Sequence, residues 1–188
     1  MKTKFKHILV ILCLSMISCE GNLEPELFDQ ITPENFLTNE DDVKTAVTGV
    51  YAEFRGISEW GRYNTSWGSV MTLQEVPTDL WAANWFYKAH TDFMWKATDY
   101  FVCEIFEFFV PAITKATALI ARIQDAPVSD DIKNRYIAEL RVVRALWMYD
   151  LFDLYGPVPA ITDPEKILNP TQDFTVTRPS REEYITFV

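Results

Sequence analysis

Histidine is nearly missing from this 188-residue chain, which has two, His7 and His90. No Cys or Ser nucleophile signature lies near His90, so a histidine-based catalytic triad has little to be built from. Clustered metal ligands are also lacking: the sequence contains no CxxC and no HExxH, and we expect neither a metal nor any other cofactor. The six glycines form no phosphate-binding loop. Basic residues are outnumbered, with 17 Lys and Arg against 27 Asp and Glu. So acidic a chain does not bind nucleic acid non-specifically, and charge alone does not draw it to anionic lipid. Carboxylates are plentiful, which leaves a glycosidase-like acid pair open. Most of them sit at predicted helix starts, however, where the helix dipole accounts for them. Aromatic residues are abundant, at 14% of the chain.

No apolar run is long enough to span a bilayer. The longest near the start, residues 8–17, follows Lys2, Lys4 and Lys6 and reads as the core of a signal peptide covering residues 1–18. Ser18 then precedes Cys19. This resembles a bacterial lipoprotein signal, in which the cysteine becomes the lipidated N-terminus, so acyl chains on Cys19 would anchor the protein. The alternative is an ordinary secretory peptide. Once Cys13 leaves and Cys19 is modified, Cys103 is the one thiol left, and we expect it to be a small buried hydrophobe. Residues 19–31 read as an acidic tether, and residues 32–188 as one helical domain.

Within that domain, Thr32 with Pro33 opens a short helix. A stronger one covers 39–55, with Glu40, Asp41 and Asp42 in its first turn and Val43, Val47, Val50 and Phe54 along one face. Residues 57–94 are irregular, apart from a weak helix at 68–75. Helical periodicity returns over 95–124, where Pro111 must kink or split the helix. Ser129 caps a long helix that runs to Tyr155 and stops at Gly156-Pro157. Five prolines then make 156–179 extended. Ser180-Arg181-Glu182-Glu183 is a capping box that opens a further helix, in which the sequence ends. We therefore expect the chain to be the front part of a longer protein.

Several segments, in order, resemble the SusD/RagB family of surface nutrient-binding lipoproteins. They are the lipoprotein signal, Ile31-Thr32-Pro33-Glu34-Asn35-Phe36, residues 42–51 (DVKTAVTGVY), and the long helix with Glu139, Arg141, Arg144-Ala145, Tyr149, Leu151, Tyr155-Gly156 and Val158-Pro159. Leu140 departs from a family alanine and Thr117 from an asparagine. The resemblance implies a mostly helical bundle of tetratricopeptide-like helix pairs with long irregular loops. It also implies an outer-membrane, surface-exposed lipoprotein that captures glycans, or sometimes peptides, for a TonB-dependent, SusC-like transporter.

Fifteen of the twenty residues from 136 to 155 are apolar or aromatic, so this helix should be enclosed on most sides. Arg141 and Arg144 lie in it with no carboxylate three or four residues away. An unpaired buried charge is costly, so either the charges reach solvent or carboxylate or backbone-carbonyl partners come from elsewhere, with Glu75 and Asp79 as candidates. Sugars present apolar C–H faces ringed by hydroxyls and are held by flat aromatic platforms plus a few polar groups. Trp81, Trp85 and Tyr87, with Asn84 and Asp79, make that combination within nine residues. Packing of the same rings into the core or a partner interface is equally weighted. Trp60, Tyr63 and Trp67 form a weaker cluster. We expect an oligosaccharide-binding lipoprotein without catalytic residues. The alternatives are a structural or interaction module, a non-functional truncated product, or a peptide binder.

Overall fold

Two antiparallel helices of 26 residues each form the centre of the structure, a computed structural model that describes residues 36–55, 69–81, 87–160, 162–168 and 176–188. All of these belong to the second of two units in the chain, Phe36–Val188. The signal segment, Cys19, Thr32 and the Trp60, Tyr63 and Trp67 cluster lie outside the described residues. Among the described residues the regular elements are all helical, as the sequence predicts.

Helix α1, Glu40–Tyr51, starts where Asn39 accepts the Asp42 backbone N–H at 3.0 Å. Asp42 in turn accepts the Thr38 hydroxyl and N–H, at 2.7 and 2.9 Å, which holds its carboxyl below the usual range. Val43, Val47 and Val50 point inward. A 3-10 turn, Ala52–Phe54, then sets the Phe54 ring 4.8 Å from that of Trp147. Helix α2, Val70–Glu75, is capped by Ser69, and α3 is the single turn Lys88–Thr91.

Helix α4, Tyr100–Asp125, and helix α5, Asp130–Tyr155, are joined by residues 126–129 and pack along their length. Their antiparallel register shows in Tyr155 donating to the Val102 carbonyl, Arg144 to Thr117, and Lys133 to the Gln124 carbonyl. Ile105, Phe109, Ile113 and Ile123 from α4 meet Leu140, Trp147 and Leu151 from α5, all essentially inaccessible to solvent. Helix α1 packs against both. Helix α6, Pro164–Leu168, lies on α4, within a stretch the prolines predict to be wholly extended; Pro164 suits a first helical position.

Helix α7, Arg181–Phe187, carries the predicted capping box between Ser180 and Glu183. It docks on α5 through Tyr184, whose ring stacks on Phe152 at 5.4 Å and whose hydroxyl donates to the Met148 carbonyl at 2.8 Å. Gly156 ends α5 with φ +73°, and Arg178 donates to the Tyr155 and Pro157 carbonyls beside it.

Of the two outcomes expected at Pro111, a kink or a split, the split does not occur: α4 runs through it, and the residue is exposed, so the hydrogen bond it forgoes lies on the solvent side. Several expectations are overturned. The helix begins at Tyr100 rather than at 95, because Asp99 folds back to accept the Lys96 N–H at 2.7 Å. Ser129 stands at the N-cap of α5 without a side-chain cap bond. Cys103 is half-buried and donates to the Ala97 carbonyl. Helix α5 is not enclosed, since Val142 is 70%, Leu146 44% and Tyr149 59% exposed along one stripe.

The two arginines divide between the expected outcomes, and the partner of Arg144 is of a different kind from the one expected. Arg141 is exposed. Arg144 is half-buried and pairs with neither Glu75 nor Asp79. It donates to the Thr117 hydroxyl at 3.0 Å and lies 4.7 Å over the Phe187 ring. A hydroxyl and an aromatic face satisfy the guanidinium without burying a second charge. Burial, with Arg141 adding repulsion, lowers its pKa.

Candidate functional site

The sequence places its aromatic candidates between α2 and α4. After α2, the Thr78 hydroxyl donates to the Glu75 carbonyl at 2.6 Å and accepts the Leu80 N–H at 3.3 Å, closing a turn. That turn puts Asp79, Leu80 and Trp81 at the surface, with Trp81 40% exposed. Asn84 and Trp85 lie outside the described residues. Tyr87 is half-buried, and its hydroxyl pKa is raised by burial, a hydrogen bond to Thr72 acting the other way.

The Tyr87 ring stands edge-on to His90, with centroids 6.4 Å apart. His90 is buried at 3% exposure; burial depresses its pKa, and the Asp99 charge partly opposes that. Trp95 stacks over His90 at 5.9 Å, and Phe93 leans against Trp95 at 5.4 Å. Leu73, Pro77, His90, Trp95, Val102 and Tyr155 line a cleft of about 80 Å³ here. Sites that enclose a drug-sized ligand hold roughly 300–1,000 Å³, so this cleft seats no whole sugar ring, and ligand contact must come from the rings around its mouth.

The backbone of α3 ends unusually. The Met94 N–H bonds to the Ala89 carbonyl at 2.8 Å and the Phe93 N–H to the His90 carbonyl at 3.2 Å, which is a Schellman ending. Glycine normally takes its left-handed position; here Phe93 does, with φ +55°, at a cost of order 1–2 kcal/mol. Phe93 is 67% exposed and Met94 70%.

His90, Phe93 and Trp95 are absent from the sequence-derived set. Trp95 fits the apolar period of the following helix, which by sequence alone starts there. The cap residue Asp99 was the available signal that a turn, and not a helix, surrounds Trp95. A wider groove of about 440 Å³ runs between α1 and α5 past Lys44, Tyr51, Arg135 and Glu139. The Tyr51 hydroxyl there donates to Glu139 at 3.4 Å, and Arg135 pairs with Glu40. Among the described residues no group of three or more His, Cys, Asp or Glu side chains is placed to hold a metal, and no helix is long and apolar enough to cross a membrane.

The chain is similar to the SusD-like protein P25 of Formosa agariphila, with 24% identity over 175 residues, or 87% of this chain. It spans 32% of that relative's length. No family model matches the chain, and no solved structure matches it.

Proposed function

We propose that this protein is a surface lipoprotein that binds an oligosaccharide and delivers it to a TonB-dependent outer-membrane transporter of the SusC-like kind. The observation that carries the reading is the similarity to a SusD-like protein across most of the chain, in agreement with the motif order of its segments. The mainly helical architecture supports it, and we read the antiparallel α4–α5 hairpin as one of the tetratricopeptide-like helix pairs. Cys19 is the lipid anchor in this reading, residues 19–31 are the tether, and 32–188 are the front of the helical domain. Such a protein binds and releases its ligand without chemistry, so it needs no catalytic residue, metal or other cofactor.

Trp81, Trp85 and Tyr87 supply the stacking surfaces, and Asp79 and Asn84 the hydroxyl partners. The exposure of Trp81 and Asp79 on a loop favours this role, because a ring in water is available to a sugar face. Tyr87, packed against His90, acts more as a wall than as a platform. Titration of intrinsic fluorescence with oligosaccharides tests the assignment. Trp81→Ala and Trp85→Ala should each weaken binding by about tenfold, the equivalent of about 1.4 kcal/mol. Binding unchanged in the double variant would exclude this loop as the site.

A further inference from the structure

We infer that Phe93 and Trp95 form a second sugar-stacking platform, presented by the strained end of α3, and that it takes a neutral pyranose unit of the same oligosaccharide. The inference rests on the binding function proposed above. The fold itself does not account for Phe93: the Schellman turn is met more easily by glycine, and the Phe93 ring is too exposed to contribute much to the core. A non-glycine residue held in the left-handed region and pointing into water is the kind of outlier that marks a functional position.

Its surroundings suit a sugar. Trp95 is held from beneath by the buried His90 ring, nearly parallel at 26°, so its orientation is set before any ligand arrives. Phe93 meets Trp95 at 45°, which makes an angled apolar surface of two rings. Around it, the Lys88–Asp92 ion pair at 2.7 Å, together with Lys96, supplies both donors and acceptors. Opposite charges beside an apolar face match a neutral polyol better than an acidic or basic peptide. Pro77 and Trp95 both line the small cleft, and Trp81 follows Pro77 by four residues, which ties both platforms to its lining.

The test uses the whole chain and three proteins: unchanged, Phe93→Gly and Trp81→Ala. Each is titrated with malto-, cello-, laminari- and xylohexaose and unfolded in urea. Phe93→Gly should raise the urea midpoint, because glycine takes the turn without strain, and should weaken hexasaccharide binding by about tenfold. A gain in stability with a loss of affinity separates a binding role from a structural one. If Trp81→Ala loses affinity while Phe93→Gly keeps it, the platform is refuted and the binding function stands. Failure of the unchanged chain to bind any of the four sugars overturns both. Loss of transporter co-purification in Phe93→Gly, with sugar affinity intact, reassigns the surface to a protein contact and also overturns the inference.

Discussion

At the residue scale, Arg144 shows how the chain places a cation inside an apolar helix. Its partners are a hydroxyl from α4 and a ring from α7, not a carboxylate. Thr117 is fully buried and also donates to the Ile113 carbonyl, so its hydroxyl is used in both directions. Thr117→Val should therefore cost about 1–3 kcal/mol, because it leaves a half-buried guanidinium without its acceptor. Arg144→Met removes the charge and keeps an apolar stem against Phe187, so it should change stability by less than about 1 kcal/mol. Urea unfolding of both variants and the double variant checks this; additive effects would show the pair is not coupled. The sequence showed that the arginine needed a partner. It could not identify Thr117, because a hydroxyl on another helix leaves no spacing pattern.

At the element scale, the helices that could be read from the sequence are those that announce themselves locally. Three acidic residues behind Asn39 and the Ser180–Glu183 box mark the starts of α1 and α7 within one residue, while α1 ends at Tyr51, short of the expected 55. The turn at 96–99 is hidden in the sequence because Trp95 continues the period of α4, whereas the Asp99 hydrogen bond that breaks it is a single contact. The docking of α7 also has a measurable pH signature. Burial pushes the Tyr184 hydroxyl up to about 12 from an ordinary 10. The unfolded chain loses this proton near pH 10 while the native state keeps it, so the unfolded state binds fewer protons between the two values. The stabilisation is complete below pH 10 and is lost as pH rises towards 12. Tyr155 is shifted upward by burial too and adds to the same loss. The urea midpoint should fall across this window and fall less steeply in Tyr184→Phe. An equal slope in that variant would show that Tyr184 is not the group responsible.

At the scale of the whole molecule, fold class and site differ in how far they could be read. A mostly helical chain follows from repeated 3.6-residue periods and caps, which each segment carries within itself. Whether α5 is enclosed depends on what else packs there, and the stripe of Val142, Leu146 and Tyr149 is left facing solvent despite an apolar sequence. The candidate site follows the same division. Trp81 and Asp79 reach the surface as an irregular loop implies, but the His90–Trp95–Phe93 stack arises from a four-residue helix and a left-handed turn that composition does not reveal. The acidic balance and the 32% span of the SusD-like relative leave glycan capture as the central claim to be tested on the chain itself. The most direct measurement is a glycan array probed with the purified 188-residue protein, followed by calorimetric titration of the strongest hit. A glycan-capturing protein should show saturable binding to at least one oligosaccharide, with a dissociation constant between about 1 μM and 1 mM. A protein that is helical by circular dichroism and retains no glycan would contradict it.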